Sequence, residues 1–355
     1  MHGSPELFKQ QLQCFFLFLY NGGAMKEIII GENQVDKRLD GFLKSYLPEA
    51  STGFLYKMFR KKNITLNGKK AAGTEKLKAG DKINIFFSDE TFEKFRGKAA
   101  SSEASDPFND REIQLIKSLG DIRIIYEDDK IVLLNKPAGV LTQKATPKDV
   151  SLNEWLIYYL FTKNEVTKES LETYRPSVCN RLDRNTSGLV ICAKSLAGAR
   201  VMNKLLKDRN VHKYYRTIVS GHLTDNITLK GYLYKDEARN KVFIKKDDPK
   251  DDRYSYIETE YAPLQYDKEH DLTLLEVKLI TGKPHQIRAH LASISHPIIG
   301  DVKYGGKKIG SLNYQLLHSY RLIFPEDLSE GFEAISGKEY RAELPSVFGK
   351  FFREG

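Results

Sequence analysis

Strand-type patterns, alternating or continuously apolar, dominate the latter two-thirds of this 355-residue chain. They fall at 122–126, 130–134, 189–193, 214–219, 241–244, 256–261 and 272–279, and each predicts a strand. Helical spacing is rarer there. It predicts helices over 152–161 and 196–208 and a shorter one from His285. Many strands with a few interspersed helices argue for an α+β domain built on a large mixed, mostly antiparallel sheet, spanning 121–355. No internal repeat or coiled-coil heptad interrupts this pattern.

The patterning before residue 90 differs. Arg38–Leu43 carries apolar positions at helical spacing, and Phe54–Lys62 reads as a second amphipathic helix ending in Arg60, Lys61 and Lys62. Ile64–Leu66 is a short strand followed by Asn67-Gly68, the strongest short hairpin signal, and then by Lys69 and Lys70. A turn at 77–81 leads into the alternating strand 82–87. These elements predict a small α+β domain over 25–88. The polar stretch 89–120 lacks periodicity at its centre, 98–106, and reads as a flexible linker. Such a tether would let the small domain dock separately and raise the effective concentration of the large one. Residues 1–24 read as an upstream extension outside the fold. Their apolar run, Cys14–Tyr20, is too short to span a bilayer, and no clear cleavage site follows it, so no membrane partner is expected.

Charge sharpens the division. The net charge is +9, and residues 36–87 alone hold 12 Lys and Arg against 5 Asp and Glu. A basic excess concentrated in one small unit is the footprint of a nucleic-acid partner. A hydrophobic content of 41% excludes a disordered chain. Cys14, Cys179 and Cys192 are too few for a disulfide framework and lack metal spacing, which favours a reducing, cytoplasmic compartment. His285 and His290 are five apart, on different helix faces, so no metal site is expected. Phosphate-loop and dinucleotide fingerprints are missing.

Candidate chemistry centres on Arg181-Leu182-Asp183-Arg184-Asn185-Thr186-Ser187-Gly188. Two neighbouring guanidiniums would keep Asp183 ionised. An ionised carboxylate on a turn can act as nucleophile, base or electrostatic stabiliser. An isolated string of this kind would also suit a surface ion-pair turn. Asn135-Lys136-Pro137-Ala138-Gly139 reads as a turn after a strand, with no catalytic role. In Lys213-Tyr214-Tyr215, strand alternation lets only one tyrosine face a given side. Thr281–Leu291 predicts a helix beginning near Pro284, with His285 one turn before Arg288.

Taken in order, these strings resemble the motifs of the RluA/RluC/RluD-type pseudouridine synthases over 121–325. The Asp183 string resembles HRLDxxTSG, with Asn180 where many members have His. The other three resemble NKPxG, K-x-Y and TGRxHQIRxHL, with Lys283 for Arg and Pro284 for a small hydroxyl residue. His296–Asp301 and Leu317–Leu322 match the downstream pattern and read as scaffold. The basic unit is similar to a small RNA-binding domain shared by a ribosomal small-subunit protein and tyrosyl-tRNA synthetases. The resemblance implies that Asp183 is the catalytic nucleophile, that Tyr215 stacks on the target uracil and that Arg288 pairs with Asp183. It implies isomerisation of uridine to pseudouridine in RNA, large-subunit ribosomal RNA being favoured, with no cofactor. Arg60, Lys61, Lys62, Lys69 and Lys70 are the expected RNA contacts, and a monomer is favoured. Two rivals are a catalytically silent RNA-binding assembly factor and a hydrolytic glycosidase. The latter needs a second carboxylate, for which Glu258, Glu260 and Glu276 are loose candidates.

Overall fold

The computed structural model of the protein describes residues 25–31, 34–96 and 107–352. The expected extension, 1–24, and the centre of the expected linker, 97–106, lie outside those residues. The chain divides into two compact units, one made of residues to Asn109 with 163–175 and 195–197, the other of the remainder.

In the first unit β1 (Met25–Ile29), α1 (Leu39–Tyr46), α2 (Thr52–Arg60), β2 (Ile64–Leu66), β3 (Lys69–Lys70), β4 (Lys82–Phe86) and α3 (Asp89–Arg96) follow one another. The strands form an antiparallel sheet in the order β1-β4-β2-β3. Leu39, Phe42 and Leu43 of α1 and Leu55, Met58 and Phe59 of α2 supply a core with Ile64, Ile83 and Ile85. Ser51 caps α2, its hydroxyl accepting from the Phe54 N–H at 3.2 Å. Asn67 and Gly68 both take positive φ, 51° and 72°, which lets β2 and β3 close as a hairpin. Arg60, Lys61, Lys62, Lys69 and Lys70 are all exposed, and none joins an ion pair among the described residues.

Both ends of the expected flexible linker are helical instead. α3 buries Phe92, and Phe95 packs on Phe54 with ring centroids 4.2 Å apart. Two aromatics at i, i+3 thus outweigh the polar composition of the helix. Arg96 completes it by pairing with Glu172 at 3.2 Å. In the second unit α4 (Asp110–Lys117) buries Ile116.

That unit continues with β5 (Arg123–Glu127), β6 (Ile131–Lys136), α5 (Leu152–Thr162), β7 (Ser177–Val178), β8 (Ser187–Ala193), α6 (Leu196–Lys207) and β9 (His212–Ser220). Then come β10 (Ile227–Asp236), β11 (Lys241–Lys245), β12 (Ser255–Asp267), β13 (Leu272–Leu279), α7 (Gln286–Ser293), β14 (Leu317–Ile323) and β15 (Glu339–Arg341). One 11-stranded sheet runs β11-β10-β12-β13-β9-β14-β8-β6-β5, with β15 on β14 and β7 on β8. The expected mixed, mostly antiparallel sheet is present. Its parallel pairing, among the described strands, is β14 on β8, where His318 stands opposite Ser187 and Ser319 opposite Gly188. Ile131 and Leu133 of β6, Leu189 and Ile191 of β8 and Leu322 of β14 face one side, where Met202 and Leu205 of α6 pack.

β14 therefore separates β8 from β9, and its fit beside β8 is tight. Gly188 has φ 107°, and a Cβ there would lie 2.2 Å from the Ser319 carbonyl oxygen and 2.6 Å from its nitrogen. Neither partner can yield, because both are ladder backbone. Gly188→Ala should destabilise the protein by about 3 kcal/mol or more. Urea unfolding measures this; an unchanged midpoint would disprove the close approach.

Candidate active site

The turn between β7 and β8 carries Asp183, and several bonds fix its path. Asn180 accepts from the Ile191 N–H through Oδ1 at 2.7 Å. The Thr142 hydroxyl donates to the Leu182 carbonyl at 2.8 Å and accepts from the Leu182 N–H at 3.1 Å. The Thr186 N–H closes the turn on the Asp183 carbonyl at 3.0 Å. Below it Lys136, the last residue of β6, is 0% exposed. Its Nζ donates to the carbonyls of Pro137, Val140 and Arg184 at 3.0, 2.8 and 2.9 Å. Three acceptors match the three N–H groups that only the ammonium form has. Burial pushes its pKa down to about 7, and the Asp183 carboxylate opposes that fall. The Lys136-Pro137 turn and the Asp183 turn are thus tied by one cation.

Asp183 keeps 27% of its side chain exposed. The arginines beside it in sequence do not hold it. Arg181 and Arg184 are exposed, and the guanidinium at its carboxylate belongs to Arg288, whose Nη1 donates to Oδ2 at 3.1 Å. The turn directs Arg184's carbonyl inward, to Lys136 and the Gly139 N–H. Arg288 forks its other edge onto Asp301, Nε to Oδ2 at 2.6 Å and Nη2 to Oδ1 at 2.8 Å. Both partners are nearly dry, 7% and 1% exposed. Burial works against the guanidinium charge, but the two carboxylates outweigh it and the Arg288 pKa is raised.

Tyr215 of β9 is buried close to Asp183. Burial raises its phenol pKa to about 12, and the Asp183 charge adds to the rise. Tyr214 lies under Arg321, whose guanidinium carbon is 4.0 Å from the ring centroid. Arg288 itself stands 5.0 Å from the centroid of Tyr304, a residue of the short 3-10 turn Val302–Tyr304. α7 starts at Gln286, later than expected from Pro284. The Gln286 N–H bonds the Lys283 carbonyl, and its Oε1 accepts from the Lys283 N–H and the Thr281 hydroxyl. Pro284 is thereby enclosed in a turn ahead of the helix. His285 becomes the N-terminal flanking residue, in a left-handed conformation with φ 54°, and its Nε2 lies 3.9 Å from Asp183 Oδ2.

The structure thus gathers Asp183, Tyr215 and Arg288 from three distant segments. The five basic residues belong to the other unit. Asp301, His285 and Lys136 lie at the site within motifs that did not mark them as such, and Tyr304 joins them from outside every motif. His290 is buried and bonded to Thr259 Oγ1 at 3.1 Å, apart from His285. No group of three or more His, Cys, Asp and Glu side chains among the described residues could hold a metal ion. Glu258, Glu260 and Glu276 are engaged in strand ion pairs with Lys230, Lys278 and the Arg216/Arg321 couple. Chemically, the site offers an aimed, partly exposed carboxylate beside a buried aromatic ring.

Comparison with known proteins gives a consistent picture. A profile described as RNA pseudouridylate synthase matches residues 130–293. A Rickettsia conorii protein named ribosomal large subunit pseudouridine synthase C is 30% identical over 324 residues, covering 90% of this chain and 98% of that one. A Borreliella burgdorferi protein named ribosomal large subunit pseudouridine synthase D is 33% identical, covering 73% and 80%. Among solved structures, Human RNA Pseudouridylate Synthase Domain Containing 4 shares the fold, with a TM-score of 0.52 and 21% identity over 67% of this chain and 94% of that one.

The buried Arg288–Asp301 fork yields an energetic prediction. Asp301→Leu leaves a dry guanidinium short of charge and should cost about 3–5 kcal/mol. The Arg288→Met, Asp301→Leu double variant should cost much less than the two single changes added together. Chemical denaturation of the four proteins tests this; additive losses would mean the two side chains do not stabilise each other.

Proposed function

The chain belongs to the RNA pseudouridylate synthase family, and from that membership we propose how its residues perform the reaction and on which RNA. The reaction is isomerisation of uridine to pseudouridine within RNA. The substrate we propose is large-subunit ribosomal RNA, a reading supported by the names of relatives matched over nearly their whole length. We place the activity in the cytoplasm, which suits the free thiols of Cys179 and Cys192.

The observation that carries the proposal is the Asp301–Arg288–Asp183 chain beside Tyr215. The target uridine leaves its stack at a cost of a few kcal/mol and enters the site. Tyr215 supplies the face that replaces the lost neighbours. Asp183 then acts on the sugar, by attack on the anomeric carbon or by removing a proton to give a glycal. Either route breaks the bond from ring nitrogen to sugar. The uracil turns and carbon 5 bonds to the anomeric carbon, either as the Asp183–sugar bond breaks or as Asp183 returns its proton to the sugar carbon, and the proton lost from carbon 5 is replaced by one on the former ring nitrogen. Atoms and electrons balance within the one nucleotide, so the scheme needs no cofactor. Arg288 holds Asp183 aimed, because Asp301 prevents the guanidinium from turning away. Hydrolysis is disfavoured, since a two-carboxylate mechanism needs a free acid and Asp301 is locked in its fork. A silent assembly factor would have no use for a buried cation aimed at an accessible carboxylate.

In this scheme the basic unit contributes affinity, through phosphate contacts from Arg60, Lys61, Lys62, Lys69 and Lys70. Their exposure and lack of ion-pair partners among the described residues support that role.

Asp183→Asn is expected to fold and bind RNA while turnover falls by several orders of magnitude, because an amide has no charge to give. Carbodiimide primer extension on ribosomal RNA reads the product; more than a trace would remove Asp183 from the nucleophile's role. Reversing the five bases to Glu should weaken RNA binding and flatten its salt dependence by about 0.7–0.9 log unit for each phosphate no longer neutralised. Single-turnover chemistry at saturating RNA should survive that change. An unaltered salt slope in binding isotherms would show that the basic unit does not contact phosphates.

A further inference from the structure

The imidazole beside Asp183 has its proton position decided by its neighbours. His285 Nδ1 lies 2.9 Å from the Tyr304 hydroxyl, and the same hydroxyl lies 3.0 Å from the backbone nitrogen of Val242 on β11. A backbone N–H can only donate, so the Tyr304 oxygen accepts from Val242. Tyr304 then has one proton of its own to place. Directed at His285 Nδ1, that proton completes a chain from Val242 through Tyr304 to His285. With the proton on Nδ1 instead, the Tyr304 oxygen would accept twice. Its own O–H would then have no acceptor among the described hydrogen bonds, in a residue only 9% exposed. Leaving a buried donor unused costs about 1–3 kcal/mol. Nδ1 is therefore the acceptor, and Nε2 carries the hydrogen.

Two further observations agree. Burial raises the Tyr304 pKa, so the phenol keeps its proton, and burial lowers that of His285, so the ring is neutral. The Tyr304 ring is itself held, with Arg288 at 5.0 Å and Lys241 at 5.4 Å from its centroid. His285 also keeps the left-handed backbone conformation of φ 54°, which persists in a non-glycine residue where surrounding structure demands it. The Nε2 edge so defined points to within 3.9 Å of Asp183 Oδ2.

We infer that Tyr304 is a positioning residue that holds His285 as the neutral Nε2–H tautomer, presenting a fixed N–H donor beside Asp183 to the carbonyl oxygen next to the departing ring nitrogen of the target uracil. This rests on the reading that Asp183 acts on the sugar. A reacting sugar carbon would sit about 3 Å from Asp183 Oδ2. The bond that breaks leaves negative charge on the uracil, and a donor 3.9 Å from Asp183 Oδ2 would meet the carbonyl oxygen next to that bond. A donor already oriented stabilises that charge without rearranging.

Gln and Asn at position 285 separate the two ring nitrogens, since the Gln amide reaches the place of Nε2 and the Asn amide that of Nδ1. At saturating ribosomal RNA, His285→Gln should turn over within about tenfold of the wild type, while His285→Asn and His285→Ala fall about 10²-fold. KM for RNA should change little in all three, because the donor acts when charge develops. Long-range proton–nitrogen spectra of histidine-labelled protein, assigned by the signal missing from His285→Gln, should show His285 as the Nε2–H form. In Tyr304→Phe that single tautomer should give way to a mixture, with turnover lowered at constant KM. The His285 variants leave Tyr304 and Val242 in place, so the test stands even if Tyr304→Phe does not fold. An Nδ1–H signal in the wild type, or equal turnover of the Gln and Asn variants, would overturn the inference. Asp183→Asn in the same assay distinguishes the two levels. Activity there defeats the reading of Asp183, whereas an inactive Asp183→Asn beside fully active His285 variants defeats this inference alone.

Discussion

One guanidinium shared between two carboxylates is the constraint on which the large unit is organised. Arg288 bonds Asp301 through two nitrogens and Asp183 through the third. A lone buried arginine would be prohibitively costly to dehydrate, and a single partner that left it free to rotate would not aim it. The Asp301 fork answers both needs, and the surrounding backbone follows from it. Gly300 and Gly306 stand where a Cβ would lie 2.1 Å from the Tyr314 carbonyl and 2.0 Å from the Ile298 carbonyl. The loop is folded tightly enough around Asp301 that only hydrogen fits at those positions. α7, which carries Arg288, is buried from Gln286 through Leu291.

The sheet supplies the rest of the alignment. Because β14 lies between β8 and β9, it is hydrogen-bonded on one side to the strand that follows Asp183 and on the other to the strand that bears Tyr215. Ser187 reinforces the join by bonding His318 Nδ1 at 2.8 Å. Lys136 adds a second brace from the β6 side. The Asp183 turn is therefore tied at Leu182, Arg184 and Thr186, and the Asp183 carboxylate keeps part of its surface exposed.

Much of this was readable in the chain, for reasons that differ from element to element. Strands 189–193 and 272–279 declared themselves because both patterns are local, one continuously apolar and the other alternating. β10 was not named, although Ile227, Leu229 and Leu233 alternate, because lysine, threonine and tyrosine between them dilute the signal. The helical ends of the supposed linker were hidden by their charge, since a few apolar anchors, Phe92, Phe95 and Ile116, suffice to bury one face. At the site, Asp183, Tyr215 and Arg288 stood in recognisable strings. What local sequence could not show is which charges are dry. Lys136 looks like a polar turn residue and is wholly enclosed, Asp301 looks like scaffold and fixes Arg288, and Arg181 and Arg184 look like partners of Asp183 but remain at the surface. Burial of a charge is decided by segments more than a hundred positions away, as with Asp183 and Arg288.

The position of β14 also has a meaning in time. As the chain is made, β8 and β9 emerge with only α6 between them, yet they are not neighbours in the finished sheet. Their proper spacing waits for a strand synthesised about a hundred residues after β9. Pairing over such a separation is slow, because the loop must close before the contacts repay its entropy. A nascent chain that has released Asp183 and Tyr215 from the ribosome consequently holds parts of the proposed site without the arrangement. Competence arrives only when insertion of that later strand brings those side chains into register.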